Sequence, residues 1–277
     1  MPSLKSAAGV LLLVAAAAAC DTAEAPLAPR LQSPQFIVNG QPTGSNYGSV
    51  GALYFDFNGN RRIEGDELIC TGSLISPTVF LTAAHCVEFL PANAQVYVSF
   101  DDTIFPRPSG TIAATGFDFD PGYGHDSGDY HDIAVVLLPS NSTRGMTPLK
   151  LPKAGALDAL AAKGALSKTL FVNVGYGYDA NRTGEPSFTF DGVRKFSYSE
   201  FMGLTQTRLG LLMQYAATGE GGDCYGDSGG PKLIKGEEDT IYAIVVTGDV
   251  WCRSTTWDHR TDSPSARAFL GQYVTLP

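Results

Sequence analysis

Short apolar segments separated by turn residues run through most of the chain from Phe36 onward. β-branched and aromatic residues dominate these segments, and Asn-Gly, Pro-Gly or Gly-Gly pairs stand between them. The clearest segments are IVNG, VGALYFDF, LICTGSLIS, VFLTAAHCV, AQVYVSF, DIAVVLL, LFVNVGYGY and IYAIVVTG. Strands of this length, with few long helices between them, are typical of an all-β sandwich or barrel. The pattern therefore predicts an all-β fold.

Two segments of the chain favour short helices. Residues 154–166 are rich in alanine, but two glycines weaken the interior of a helix there. Residues 263–273 begin with Ser263 followed by Pro264, which are residue types preferred at the start of a helix. We therefore expect a short helix near the C-terminus.

The first residues of the chain have the pattern of an export signal. Lys5 precedes an apolar run at 7–19, which is shorter than the ~20 residues that span a bilayer as a helix. This run is typical of the apolar region of a signal peptide. We predict a signal peptide over 1–20 and a propeptide or linker over 21–36, where Ala, Pro and small polar residues prevail.

Cysteine counting adds a possible lipid anchor. The chain has five cysteines, and an odd number in an exported protein leaves one with a separate role. Cys20 follows three alanines, which resembles the cleavage site of a bacterial lipoprotein whose cysteine becomes the acylated first residue. Ordinary secretion, with Cys20 removed or incidental, is the alternative. We expect the other four cysteines to pair, as an oxidising compartment permits.

Composition and charge exclude several classes of protein. The chain of 277 residues is 44% hydrophobic, so it can bury a sizeable core without needing a metal or dense disulfides to fold. Its 31 glycines and 17 prolines are many for a helical bundle. A net charge of −9 without clustered Lys or Arg is unsuited to phosphate neutralisation. We expect no nucleic-acid partner, and no membrane contact other than an anchor at Cys20.

Three motifs contain the residue types of nucleophilic catalysis. TAAHC places His85 beside Cys86, HDIAVVLL places Asp132 at the head of a buried strand, and GDSGGP places Ser228 in a glycine-rich turn. Serine catalysis needs a hydroxyl, an imidazole base and a buried carboxylate that fixes the imidazole tautomer. Each motif alone has a simpler explanation, since a histidine beside a cysteine is often structural or a metal ligand. Their joint occurrence in this order predicts a catalytic triad.

This combination resembles the trypsin/chymotrypsin family of serine proteases over residues 37–277. The resemblance implies two six-stranded antiparallel β-barrels of chymotrypsin type, with the active site in the cleft between them. His85 would act as general base and then acid, Asp132 would orient it, and Ser228 would form the acyl-enzyme. We expect a monomeric serine endopeptidase for protein or peptide substrates, without a cofactor. The alternative is a non-catalytic binding or adhesion protein on a protease fold.

The resemblance also assigns residues that support the triad. The backbone N–H groups of Gly226 and Ser228 would form the oxyanion hole. Cleavage after Phe36 would make Ile37 a new N-terminal ammonium, which pairs with Asp227 in this family. Such a protein is a zymogen, and we expect it to be either secreted or held as a lipoprotein at the bacterial cell envelope. Both fates are compatible with the sequence.

The same resemblance implies two disulfide bonds. One joins Cys70 to Cys86 and braces the loop that carries His85, and the other joins Cys224 to Cys252 beside the specificity pocket. A disulfide that closes a loop of this size adds about 3 kcal/mol to the free energy of unfolding in the chain-entropy model.

The specificity pocket departs from the family pattern. The pocket-floor position is Gly222, where trypsin-like members carry an acidic residue, and Asp223 follows it. The Asp223 carboxylate either faces the pocket and favours Lys or Arg in the substrate, or it points into the loop or to solvent. Val246, Thr247 and Gly248 replace the expected Ser-Trp-Gly, so the serine that usually donates to the catalytic aspartate is missing. Gly248 retains the position that pairs with the substrate backbone.

An oxygen-rich segment, DFNGNRR at 56–62, precedes Cys70. Its alternating side-chain oxygens suggest calcium, but these residues lack the glycine and terminal glutamate of a complete calcium loop. Asn58-Gly59 is a common hairpin turn. We expect a hairpin here and predict no metal site, with a calcium loop as the alternative.

Overall fold

The computed structural model describes residues 37–181, 184–214 and 219–277. The predicted signal peptide over 1–20, the propeptide over 21–36 and the lipidation site Cys20 lie outside the described residues. The described strands are β1 (Gln41–Pro42), β2 (Val50–Phe55), β3 (Leu68–Ser76), β4 (Val79–Thr82), β5 (Val96–Ser99), β6 (Ile112–Ala113), β7 (Gly116–Phe119), β8 (Ala134–Leu137), β9 (Leu170–Gly175), β10 (Asp179–Ala180), β11 (Phe188–Thr189), β12 (Lys195–Leu204), β13 (Arg208–Leu212), β14 (Pro231–Ile234), β15 (Ala243–Gly248) and β16 (Thr255–Arg260). The described α-helices are α1 (Ala156–Ala162) and α2 (Pro264–Leu270).

The strands of the second half form a closed barrel. The antiparallel order is β9-β12-β13-β16-β15-β14, and β14 pairs back to β9, so the hydrogen bonding runs round the whole sheet. β1 adds to the outside of this barrel by pairing with β12. Closure leaves the six barrel strands without a free edge.

The strands of the first half form a curled sheet in the order β6-β5-β2-β3-β4-β8-β7. Among the described residues its end strands β6 and β7 do not pair, so it is a half-barrel and not the second closed barrel that we expected. β6 contains only Ile112 and Ala113, too short a strand to complete the closure. The predicted all-β fold of chymotrypsin type is confirmed, with this difference at one edge.

The largest buried apolar cluster of the described residues joins the two sheets. Phe80 and Val135 of the first sheet belong to the same buried cluster as Val172 and Leu233 of the second. The strands that meet here are nearly continuous runs of apolar residues, as expected for strands covered on both faces. Packing between the two sheets is therefore continuous through this cluster.

Both predicted helices are present but short. Helix α1 occupies the centre of the alanine-rich segment and follows Gly155, whose φ of 64° lies in the left-handed region. At α2, the Ser263 hydroxyl accepts a hydrogen bond from the Ala266 N–H at 3.4 Å, which caps the helix. The expected C-terminal helix is confirmed. Within the described ranges, no helix has the length and apolarity to cross a membrane.

The connection between β2 and β3 differs from the expected hairpin turn. The two strands pair in antiparallel fashion, but the last pair is Tyr54 with Leu68, and residues 56–67 form the connection. Asn58 and Gly59 therefore belong to a long loop and not to a tight hairpin turn. Within the described residues this loop has no strand pairing, and the side chains of Asn58 and Asn60 accept hydrogen bonds from backbone N–H groups of the loop.

Candidate active site

His85 and Asp132 are brought together by the pairing of two strands. His85 lies in the 3₁₀ turn Ala84–Cys86 just after β4, and Asp132 lies just before β8. β4 and β8 are antiparallel neighbours with Thr82 opposite Ala134. His85 and Asp132, 47 positions apart in the sequence, are therefore brought together by a single strand pair.

The Asp132 carboxylate holds His85 by two contacts. Its Oδ2 lies 2.8 Å from His85 Nδ1, and its Oδ1 accepts the His85 backbone N–H at 3.0 Å. The Asp132 side chain is only 10% exposed, whereas that of His85 is 30% exposed. A carboxylate beside Nδ1 favours the tautomer with the proton on Nδ1. Nε2 is then free to accept a proton at the protein surface.

The Ser228 turn is held by the first sheet. The Thr71 N–H of β3 donates to the Ser228 carbonyl at 2.9 Å, and the Thr71 hydroxyl donates to the Gly226 carbonyl at 2.9 Å. Gly226 has φ of 93°, a conformation that favours glycine. In the described part of the chain, the N–H groups of Gly226 and Ser228 donate to no backbone acceptor. They are available to a bound group.

Asp227 lies under this turn and is fully buried. Its carboxylate accepts hydrogen bonds from the Gly177 N–H at 2.8 Å and the Cys224 N–H at 2.9 Å. Burial, reinforced by the nearby charge of Asp223, raises the pKa of Asp227. A Cβ at Gly177 would lie 2.5 Å from the Asp227 Cγ, so this approach requires glycine. A buried carboxylate of this kind is costly without a cation.

Ile37 and Val38 are buried at the same end of the second barrel. Each is 1% exposed, and the Val38 carbonyl accepts the Gly222 N–H at 3.1 Å. The start of the described chain is therefore fastened to the segment that leads into Asp227 and Ser228.

Both implied disulfides are present. Cys70 is bonded to Cys86 and Cys224 to Cys252, with Cα–Cα distances of 6.1 Å and 5.2 Å. The first bond lies close to His85, and its two sulfurs and the imidazole form a cluster with metal-ligand spacing. The sulfurs are bonded to each other and offer no thiolate, so this cluster is not a metal site.

A cavity of about 270 Å³ opens beside His85 and Ser228. Predicted pocket residues Asp223, Thr247 and Gly248 line it, but Gly222 does not. A Cβ at Gly222 would lie 2.2 Å from the Met213 sulfur, so this glycine packs against Met213 and away from the cavity. The other lining residues are His85, Cys224, Tyr225, Ser228, Val245, Val246, Asp249, Cys252 and Thr256.

The Asp223 side chain lines the cavity but is only 4% exposed. It forms an ion pair with the buried ammonium of Lys232. The same ammonium donates to the Asn173 side-chain carbonyl at 2.7 Å and lies 3.8 Å from the Asp258 carboxylate. The sequence left open whether Asp223 faces the pocket or points into the loop or to solvent. In the structure it lines the cavity, and its carboxylate forms an ion pair with Lys232.

A second cavity, of about 430 Å³, is also lined by His85 and Ser228. His85, Tyr225 and Ser228 line both cavities, and no described Lys or Arg lines the second one. Phe89, Tyr178, Phe190 and Tyr225 contribute aromatic rings to its walls. The remaining lining residues are Gly65, Asp66, Leu68, Ile69, Cys70, Cys86 and Gly226.

Comparison with known proteins agrees with this arrangement. Residues 52–265 match the model of the family described as Trypsin. The chain belongs to the trypsin family. Among the relatives of this trypsin-family chain, Glucanase inhibitor protein 4 of Phytophthora infestans is 31% identical over 197 residues, 69% of this chain and 73% of that protein. Trypsin of Sarcophaga bullata is 25% identical over 209 residues, 73% of this chain and 77% of that protein.

Solved structures support the same fold. The HL collagenase structure aligns with a TM-score of 0.61 at 19% identity, over 85% of this chain and 97% of that one. The VesB protease of Vibrio cholerae aligns with a TM-score of 0.60 at 19% identity, over 86% of this chain and 67% of that one. At this identity the likeness concerns the fold.

Two features of this trypsin-family site, Thr71 and Lys232, were not found from the sequence, and the structure confirms the sequence observation that Val246 replaces a serine. Thr71 was not singled out, because its contacts to the Ser228 turn come from a distant strand. Val246 lines the pocket and has no hydroxyl to donate to Asp132, whose described partner is His85. Lys232 had a signal, since a lysine in the strand Pro231–Ile234 is unusual where its neighbours are buried.

Proposed function

We propose that this chain is a serine endopeptidase that hydrolyses peptide bonds of proteins or peptides. The observation that carries this proposal is the contact of 2.8 Å between His85 Nδ1 and Asp132 Oδ2, at the two cavities that Ser228 also lines. Membership of the trypsin family supports the same activity.

The catalytic steps follow from the roles of the three side chains. The Ser228 hydroxyl attacks the scissile carbonyl carbon while His85 Nε2 takes its proton. Asp132 stabilises the resulting imidazolium and keeps its orientation. His85 then gives the proton to the departing amine, and the acyl group stays on Ser228 until water, deprotonated by His85, releases it.

The developing oxyanion needs hydrogen-bond donors. The N–H groups of Gly226 and Ser228 are the proposed donors, because they lie in the turn that Thr71 fixes and are not used by the backbone. Removing one such donor from a serine protease typically lowers kcat by about 10²–10³. In this site the donors are backbone groups, so the turn conformation itself is the catalytic element.

We also propose that cleavage before Ile37 activates the enzyme after export. The new ammonium of Ile37 would give buried Asp227 an ion-pair partner, which it does not have among the described residues. Ile37 is buried, and the adjacent Val38 pairs with Gly222. The proposed precursor has a signal peptide over 1–20 and a propeptide over 21–36. Acylation of Cys20 would tether only the precursor, since cleavage before Ile37 separates the protease from the anchor.

A second candidate is a non-catalytic binding protein on the protease fold. Similarity to a protein named as a glucanase inhibitor favours this candidate. The presence of His85, Asp132, Ser228 and Gly226 together favours catalysis, because a binding protein does not need them.

Labelling with a fluorophosphonate probe tests the function. The probe is applied to the full chain and to a chain that starts at Ile37, each compared with its Ser228→Ala variant. We expect labelling of the Ile37 chain and none of its Ser228→Ala variant, which establishes the nucleophile. Labelling of both forms would retain the protease and remove the activation step. A folded Ile37 chain that takes no label would make the binding protein the leading function.

A further inference from the structure

The loop between β2 and β3 contains a complete set of spaced oxygen ligands. Counting from Asp56 as the first position, Asn58 is third, Asn60 is fifth and Glu67 is twelfth. Calcium loops of twelve residues take side-chain ligands from these positions, together with a backbone carbonyl at the seventh. The motif is not evident in 56–62 alone, because its final glutamate lies five residues farther on.

The fold brings the two ends of this loop together. The Asn58 side-chain amide donates to the Glu67 carboxylate at 2.9 Å, so the third and twelfth positions are in contact. The Arg61 N–H donates to Asp56 Oδ2 at 2.7 Å, which turns the loop around the first position. Asn58 and Glu67 are therefore in contact across the loop, and the Asp56 carboxylate lies against the backbone of its central turn.

Among the described residues, two carboxylates of this loop have no cation beside them. Asp56 Oδ1 is fully buried and has no hydrogen-bond partner among the described residues. The Glu67 side chain is only 6% exposed, and in the described structure it accepts from the Asn58 amide and the Glu64 N–H but forms no ion pair. Burying carboxylates without a positive charge is unfavourable. Both groups therefore point to a bound cation.

The backbone supplies what the missing glycine would provide. The sixth position of a calcium loop is normally glycine because the chain turns sharply there. Arg61 occupies this position with a φ of 63°, in the left-handed region that residues other than glycine rarely adopt. Ile63, at the eighth position, is buried and anchors the loop to the protein. The turn is present even though the glycine is not.

We propose that residues 56–67 bind Ca²⁺ through the side chains of Asp56, Asn58, Asn60 and Glu67 and the carbonyl of Arg62. All the donors are oxygens, which hard cations prefer, and a flexible loop with one bidentate carboxylate suits the larger Ca²⁺ better than Mg²⁺. The site is separate from the proposed proteolytic activity and does not depend on it. Only two of its ligands are charged, so the expected Kd is about 10⁻⁴–10⁻³ M, as in extracellular calcium modules.

The same loop forms one wall of the second cavity. Gly65 and Asp66 line that cavity together with His85 and Ser228, and the Gly65 N–H donates to the Pro106 carbonyl at 2.9 Å. Calcium in the loop would therefore order a surface that contacts the candidate active site.

Calorimetric titration and thermal unfolding of the full chain test the site. We expect CaCl₂ to bind with one site per chain and, at 10 mM, to raise the unfolding midpoint by about 5 °C relative to EDTA, with little effect from MgCl₂. Asp56→Asn and Glu67→Gln should each weaken Ca²⁺ binding at least tenfold. Asp66→Asn is the matched control, since it removes an exposed carboxylate of the same loop at a position that supplies no ligand.

Several results would overturn the proposal. One is the absence of binding heat and of a shift in the unfolding midpoint up to 10 mM CaCl₂. Another is an equal response to MgCl₂. The third is a loss of Ca²⁺ affinity in Asp66→Asn as large as that in Asp56→Asn. Each variant is measured with and without Ca²⁺, so a general loss of stability does not change the Ca²⁺-dependent shift of its unfolding midpoint. If Glu67→Gln does not fold because its side chain is buried, Asp56→Asn, at a half-buried position, decides the outcome.

Discussion

The buried ammonium of Lys232 is paired with the carboxylate of Asp223 directly beneath the cavity that Ser228 lines. Asp258 places a second buried carboxylate 3.8 Å from the same ammonium, and burial raises the pKa of Asp258. One lysine therefore serves two carboxylates at the base of the candidate specificity pocket. Its removal would leave both of them buried without a cation.

Replacing Lys232 by Met should consequently destabilise the fold. Removing one partner of a buried ion pair typically costs 3–5 kcal/mol, and we expect Lys232→Met to lower the free energy of unfolding by about this amount. Urea denaturation measures the change. Lys150→Met is the matched control, because Lys150 pairs with Asp239 at the surface and such pairs contribute about 0–1 kcal/mol. Equal losses in the two variants would contradict the proposed role of Lys232.

Replacing Asp132 by Asn should abolish most of the proposed activity while the fold is retained. The asparagine can donate to His85 Nδ1 and so favours the wrong tautomer, with the proton on Nε2. The equivalent change in the well-studied serine protease triad lowers kcat by about 10⁴, and we expect a similar loss. Steady-state kinetics on a peptide substrate and circular dichroism measure the two properties. A fall of less than tenfold in kcat would show that Asp132 does not orient the base.

His131, adjacent to Asp132, should make stability depend on pH. Burial lowers the pKa of His131, but the hydrogen bond to Asp120 and the charges of Asp129 and Asp120 outweigh it, so the pKa is raised above 6.5. Protonated His131 then stabilises the fold fully below pH 6.5, and this contribution disappears as the pH rises through the folded-state pKa.

The variant His131→Asn tests this, since asparagine tolerates the left-handed φ of 51° at this position. The difference in unfolding free energy between wild type and variant should be larger at pH 5.5 than at pH 9. Asp120→Asn should reduce that pH dependence. A difference that grows with pH would contradict the sign of the shift.

The second cavity should select the part of the substrate that leaves with the amine. The acyl part is expected beside Thr247 and Gly248 in the first cavity. We therefore expect the departing part in the second cavity, which Ser228 also lines together with Tyr178 and Phe190. Burial of a leucine side chain against such a surface is worth about 1.5–3 kcal/mol when complete. We expect kcat/KM to be about tenfold higher for a peptide with Leu after the scissile bond than for one with Gly.

Variants at two exposed tyrosines can locate this preference. In Tyr178→Ala the ratio of kcat/KM for the Leu and Gly peptides should fall toward one. Tyr130→Ala is the control, because Tyr130 is equally an exposed aromatic but packs under Arg208 and lines neither cavity. A ratio that is unchanged in Tyr178→Ala would place the preference elsewhere.

Much of the molecule was predictable from local patterns. Ser263 and Pro264 predicted the start of the C-terminal helix, because helix capping depends on adjacent residues. The alternation of short apolar runs and turns indicated the all-β class. The missing closure of the first sheet was not predictable, since it depends on whether two short end strands meet across the whole sheet.

Functional residues divide in the same way. His85, Asp132 and Ser228 are marked by motifs, whereas the pairing of Asp223 with Lys232 joins a pocket residue to a strand residue whose side chain could have faced either direction. The ligand spacing of the calcium-type loop can be counted in residues 56–67 of the sequence. Only the folded chain shows that Asp56 Oδ1 is buried without a hydrogen-bond partner among the described residues.

The sequence by itself determined the strand-rich class, the triad candidates and the positions of the cysteines, because propensities and motif spacings are properties of neighbouring residues. Tertiary structure alone decided that Gly222 faces Met213, that Lys232 neutralises Asp223 and that Thr71 holds the Ser228 turn. These relationships arise between segments that meet only in the folded state. Burying an unpaired charge is costly in free energy. Which charged groups pair therefore depends on which segments the fold packs together.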